Sequence, residues 1–298
     1  PSKGVHMIVG AYAAMPTSRA EQEAFLSAIA DFATGLEIPW RAGALDAYPG
    51  WLATQLAGRF PDCVVTAIPD TMRMQGQNPD FGLASPNDAG RAAALAQARE
   101  IFAAIAALNA NAGQPVVTRV ELHSAPSHTA DVDALVASLT ELAPEAERIG
   151  VEVVLEHCDA RGGVGVGEKN FLSLAEEIDA ATRAGVKITL NWGRTVIESH
   201  DPQLPAEQAA LLAERDLLAG LMCSGAGGVD TGYGAGWADT HLPLADDEPT
   251  SLLTEDRVRG FIGAGGGRED YRGVKIQVPA GADVETRVAM IRRLAAMC

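Results

Sequence analysis

Short runs rich in β-branched residues alternate along the chain with longer Ala- and Leu-rich stretches whose apolar positions recur at helical spacing, and the pair repeats eight times. Strands are expected over 6–12, 35–40, 63–70, 116–124, 151–158, 186–192, 217–224 and 273–279. Helices are expected over 88–110, 131–148, 172–184 and 283–297, among others, and several open on capping residues such as Asn87, Asp88 and Asp131. Regular strand–helix alternation demands a parallel sheet covered by helices, and eight such units close into a single (β/α)8 TIM barrel. One domain is therefore expected over 1–298. Residues 1–6 carry little weight, because Met7 opens the first strand-like run and the preceding residues read as extraneous. Two intervals that follow strands are long, 70–86 and 225–249, the second rich in Gly, Asp, Tyr and Trp. Loops after strands build the active face of a barrel.

In a barrel strand alternate side chains face the helices and the interior, so once the apolar outward set is assigned the inward set follows by elimination. The fourth strand then turns Arg119, Glu121 and His123 inward, the fifth Glu152, Val154 and Glu156, the sixth Lys187, Thr189 and Asn191, and the eighth Lys275 and Gln277. Glu37 sits between outward Leu36 and Ile38 in the second. Arg119, Glu152, Lys187 and Lys275 are expected near the strand starts, where opposite charges pair and offset the cost of burial. Glu37, Glu121, His123, Glu156, Asn191 and Gln277 fall near the strand ends, where carboxylates, imidazole and amides form a polyhydroxyl-binding or metal-binding surface. Glu156 followed by His157 also reads as an ion pair or a helix-cap partner. His241 and Asp239 lie in the long loop and read either as ligands or as solvated residues. Tyr12, Trp40, Trp192 and Trp237 read as core aromatics or as plates for a sugar ring.

Charge narrows the partners. A net charge of -16 repels phosphate backbones and anionic membrane surfaces, so neither nucleic acid nor membrane is an expected partner. No run of 18 apolar residues and no signal-peptide pattern occurs, and Cys63, Cys158, Cys223 and Cys298 form no C-x-x-C pair. A cytoplasmic protein without a disulfide framework or structural zinc cluster is expected, with homo-oligomerisation left open. The Gly263–Gly267 run lacks the spacing and lysine of a phosphate loop and reads as a flexible connection. The glycine-rich 224–236 segment reads as a lid, with Tyr233 and Trp237 as its contacts.

Three short motifs carry a resemblance: Val-Leu-Glu-His around Glu156, Leu-Asn-Trp-Gly-Arg over 190–194, and Lys-Ile-Gln-Val around Gln277. In order and spacing they resemble the xylose isomerase-like TIM barrel superfamily, which includes ketose 3-epimerases, inosose dehydratase-type enzymes and barrel endonucleases. In its sugar epimerases a divalent ion is held by a Glu, an Asp, a His and a Glu ending strands five to eight. The resemblance implies Glu156 as the first ligand, with Asn191 in place of the Asp, Cys223 or Ser224 in place of the His, and Gln277 in place of the second Glu. Arg194 stands where a substrate-contacting His is usual. Replacing two carboxylates by amides lowers the charge offered to Mn²⁺, Mg²⁺, Co²⁺ or Zn²⁺, and an amide cannot take a proton. The metal site is thus expected to be altered, displaced onto Glu121, His123, Glu156 or His241, or absent.

The expectation is a sugar isomerase, epimerase or related lyase acting on a small sugar, polyol or sugar acid. Glu156 is its general base and metal-ligand candidate, with His123 or His157 as partner. Glu37, Glu121, Asn191, Trp192, Arg194, Trp237, His241 and Gln277 are its substrate contacts. Two alternatives stay open: a non-catalytic sugar-binding or regulatory barrel, and a Schiff-base lyase using inward Lys187 or Lys275.

Overall fold

A computed structural model describes residues 6–298, so five of the six N-terminal residues read as extraneous lie outside the described residues. Eight strands close into one parallel barrel in chain order: β1 (His6–Val9), β2 (Gly35–Pro39), β3 (Cys63–Thr66), β4 (Val117–Leu122), β5 (Glu152–Glu156), β6 (Lys187–Asn191), β7 (Leu218–Cys223) and β8 (Tyr271–Val274). The described helices are α1 (Arg19–Ile29), α2 (Pro49–Leu56), α3 (Ile68–Gln77), α4 (Asp88–Ala112), α5 (Val132–Glu147), α6 (Leu174–Ala184), α7 (Trp192–Ser199), α8 (Leu204–Glu214), α9 (Glu255–Gly265) and α10 (Val284–Ala295). The fold is a (β/α)8 TIM barrel. No described helix is long and apolar enough to cross a membrane.

The chain divides into two compact groups, one of residues 38–163 and 169–189, the other of 6–37, 164–168 and 190–298. In the first, β3, β4 and β5 pair in parallel with Glu121 level with both Thr66 and Val154, and β5 pairs β6 with Glu156 level with Thr189. The helices here start and stop on recognisable chemistry. Asn87 caps α4 by accepting from the Gly90 amide at 2.9 Å, and Gly113 ends that helix in the left-handed region. Ser173 and Glu176 form a reciprocal capping box on α6, which closes on left-handed Gly185. At the strand starts Arg119 lies 2.8 Å from enclosed Asp62 and 3.6 Å from Glu152, which, contrary to the inward position expected for it, is exposed.

In the second group β8 pairs with both β1 and β7. It starts two residues before its expected beginning, because Tyr271 lies over Gly220, where a Cβ would come within 2.3 Å of the ring. The shift moves Lys275 from the expected strand start to a place just beyond the strand end. Two other expectations change. Strand β3 stops at Thr66 and the chain turns at once into α3, with Pro69 in its first turn. The 263–267 glycines are no free connection: they finish α9, with Gly266 as its left-handed cap.

Candidate functional site

The register of β4 against β5 brings the residues that follow Glu121 and Val154 to the same level, and this joins His123 to Glu156. His123 Nε2 lies 2.7 Å from Glu156 Oε2, with both side chains fully enclosed. Thr66, at the end of β3, reaches the same carboxylate oxygen at 3.5 Å. Glu121 is buried on β4, two residues before His123. A carboxylate can only accept unless protonated, so Nε2 donates and fixes the imidazole tautomer. A buried carboxylate steadied by an imidazole has the composition of a general acid–base pair.

His157, expected as an alternative partner of Glu156, faces the other way, as strand alternation dictates. Its Nδ1 lies 2.6 Å from Glu177 Oε2 on α6, and the Ser124 hydroxyl donates to Glu177 Oε1 at 2.5 Å. This Ser124–Glu177–His157 network is fully buried behind the strand. Glu177 escaped the sequence reading, although a signal existed: it shares the buried face of α6 with Leu174, Ile178 and Ala181.

In the other group, Lys275 Nζ lies 2.9 Å from Glu37 Oε1, with both side chains at zero exposure. Gly10 makes room for the lysine stem, since a Cβ there would fall 2.7 Å from Lys275 Cβ, and the Tyr12 ring centroid is 5.7 Å from Nζ. An enclosed ammonium held by a carboxylate does not favour Schiff-base chemistry at Lys275. Glu37 Oε2 is buried with no hydrogen-bond partner among the described residues.

Among the matched strand-end positions, Asn191 Oδ1, Ser224 and Gln277 are engaged in local hydrogen bonds. Asn191 Oδ1 caps α7 by accepting from the Gly193 and Arg194 amides at 3.1 and 3.4 Å. Gln277 Nε2 donates to the Thr240 carbonyl at 2.5 Å, and its amide to the His241 carbonyl at 2.7 Å. The Ser224 hydroxyl and the Asp239 carboxylate meet His241 Nδ1 at 2.8 and 3.1 Å. Arg194 Nε donates to the second Asp239 oxygen at 3.0 Å. Asp239, read as solvated or ligating, is thus a half-buried brace between Arg194 and His241. It leaves His241 Nε2 without a hydrogen bond among the described residues.

The aromatics fall outside this pattern. Trp192 is buried and lines a cavity of about 360 Å³ with Gln203, Ala206, Asp256 and Arg257, a helix-layer position. Trp237 stacks on His200, centroids 3.6 Å apart at 9°, while Gly228 packs against the ring. The 225–249 segment is tied by a Gly225–Leu242 bridge and a Thr231–Gly234 bridge. Trp237 and His241 both take positive φ, at 61° and 51°, a conformation that costs a non-glycine residue and is maintained by these ties.

Glu121 and Glu156, on the paired strands β4 and β5, each offer a buried carboxylate oxygen, and the two atoms lie within 4.8 Å of each other. Two hard oxygens at this spacing suit a divalent cation. The strand-end set inferred from the resemblance does not fit: only Glu156 retains a ligating carboxylate.

Residues 8–290 match the family described as a domain of unknown function, DUF4862. The chain belongs to this family. The DUF4862 chain is 32% identical to "Uncharacterized protein STM3670" of Salmonella typhimurium strain LT2, over 96% of its own length and 94% of that protein. Among solved structures, the DUF4862 barrel superposes on an L-ribulose 3-epimerase with a TM-score of 0.60 at 15% identity, covering 98% of this chain and 92% of that one. It superposes on a family 2 AP endonuclease from Brucella melitensis with a TM-score of 0.62 at 13% identity, covering 97% and 98%. A xylose isomerase-like TIM barrel/4-hydroxyphenylpyruvate dioxygenase fusion protein gives 0.61 at 13% identity over 97% of this chain, which spans 42% of that longer one. The DUF4862 fold is therefore that of the xylose isomerase-like TIM barrels. Epimerase and endonuclease share it, so the fold by itself does not select a chemistry.

Proposed function

We propose that this DUF4862 barrel is an isomerase or epimerase of a small sugar, in which Glu156 moves a carbon-bound proton. The observation that carries the reading is the enclosed His123–Glu156 hydrogen bond at 2.7 Å. A proton next to a sugar carbonyl is weakly acidic, and a carboxylate sheltered from water removes it more readily than a solvated one. Glu156 Oε1 would take the proton and return it, while His123 holds Oε2 and fixes the carboxylate plane. Arg194 is balanced by Asp239, which favours a neutral polyhydroxy ketone over a sugar acid.

A divalent ion is the cofactor that this reading takes up, held by Glu121 and Glu156. All-carboxylate donors favour Mg²⁺ or Mn²⁺ over softer ions. When bound, the ion would polarise the substrate carbonyl. Four cysteines without a disulfide agree with a reducing compartment such as the cytoplasm.

The test is chromatographic resolution of products after incubation with a panel of ketoses and aldoses. At least one sugar is expected to convert, with the rate falling about a thousandfold or more in Glu156→Gln. Sugar binding without turnover by the unaltered protein would replace this reading with the sugar-binding barrel.

A further inference from the structure

Two thiols that the proposed chemistry does not use lie against each other. Cys223 is the last residue of β7 and is fully buried; Cys298 follows α10 and is half-buried. Their sulfurs are 3.6 Å apart. Each is anchored. The Cys223 carbonyl accepts the Lys275 amide at 2.9 Å, and the Cys298 carbonyl accepts Arg272 Nη1 at 2.5 Å. Disulfide sulfurs are about 2.05 Å apart, so closing the gap needs about 1.5 Å of movement, within reach of side-chain rotation.

We propose that Cys223 and Cys298 form a hydroperoxide-sensitive thiol pair that closes to an intramolecular disulfide. Cys298, the more accessible sulfur, attacks the peroxide oxygen; the O–O bond breaks, one water leaves and a sulfenic acid remains on Cys298. Cys223 then attacks the Cys298 sulfur, the S–S bond forms and the S–O bond breaks, and the Cys223 proton leaves with the hydroxide as a second water. Two thiols lose two electrons in total and one hydrogen peroxide accepts them.

The order of events follows from the environment. The hydrogen bond with Cys298, together with burial, pushes the Cys223 thiol well above its ordinary range, so it serves as the resolving sulfur rather than the first attacker. The neighbouring residue gives the reaction a readout inside the molecule. Ser224, one residue beyond Cys223, holds His241 Nδ1. A bridge at Cys223 therefore ties α10 to the strand end that positions the loop imidazole. The other two cysteines are internal controls: Cys63 faces the Phe60 carbonyl, and Cys158 packs with Ile68, Ala125 and Phe171.

The experiment treats the reduced full chain with a small excess of hydrogen peroxide, blocks remaining thiols with iodoacetamide and maps peptides without reduction. A linked Cys223–Cys298 peptide is expected, with titratable thiols falling from four to two and recovering with dithiothreitol. The melting temperature should rise by about 5–10 °C, since the bridge closes a long loop of the unfolded chain. Cys298→Ser, a change at a half-buried site that spares the barrel, should abolish the linked peptide and the shift. Cys298 driven to sulfinic acid while Cys223 remains alkylatable would overturn the proposal. So would linkage only between separate chains.

Discussion

At the residue scale, two histidines that follow neighbouring strands, His123 after β4 and His157 after β5, separate chemistry from packing. His123 touches Glu156, whereas His157 touches Glu177, although His157 is next to Glu156 in the chain. His123→Gln should lower turnover of the folded fraction by about a hundredfold, because it removes the group that orients the base, and should also cost stability, since Glu156 is as enclosed as Glu177. His157→Gln should lower stability by about 2 kcal/mol, by leaving buried Glu177 poorly matched, with turnover in the folded fraction unchanged. Steady-state kinetics beside urea unfolding distinguishes the two. Strand periodicity made Glu121, His123 and Glu156 legible as inward residues. It also implied that His157 faces out, but proximity in sequence kept it among the catalytic candidates. Asp239 was harder to read, since nothing in a glycine-rich loop announces that one carboxylate will meet Arg194, 45 residues away.

At the scale of elements, α6 carries the brace behind the site, because Glu177 sits in its first turn. The helix start depends on the Ser173–Glu176 box, so Ser173→Ala should cost about 1 kcal/mol at neutral pH. Burial works to raise the Glu176 carboxyl, but hydrogen bonds from the Ser173 amide and hydroxyl and from Arg161 outweigh it and hold the carboxyl below the usual range. A lowered folded value means that the unfolded chain binds the proton more readily. The contribution is therefore complete above the ordinary Glu value of about 4.3 and is lost as pH falls through the folded value. Urea unfolding at pH 7 and near pH 3.5 should show the deficit of Ser173→Ala shrinking in acid. Caps of this kind were readable, as the starts of α4, α5 and α10 demonstrate. The start of β8 was not, because it depends on Tyr271 packing over Gly220, a contact between residues distant in the chain.

At the scale of the molecule, eight strand–helix units were sufficient to indicate a closed barrel, and the structure has one. The chemistry is less local. Glu121 and Glu156 come from different strands, and their approach within 4.8 Å depends on the pairing of β4 with β5. Elemental analysis of protein prepared without chelators should find about one divalent ion per chain, decreasing in Glu121→Gln, whereas a metal content unaffected by that change would remove these carboxylates from the metal site. The central claim is proton transfer at carbon by Glu156, and its most direct measurement is incorporation of solvent deuterium. Mass spectrometry of a sugar panel incubated with the protein in D₂O should show one sugar gaining a carbon-bound deuterium, with the gain lost in Glu156→Gln and retained in His157→Gln. A sugar that binds yet gains no deuterium, or gains it equally with Glu156→Gln, would contradict the assignment.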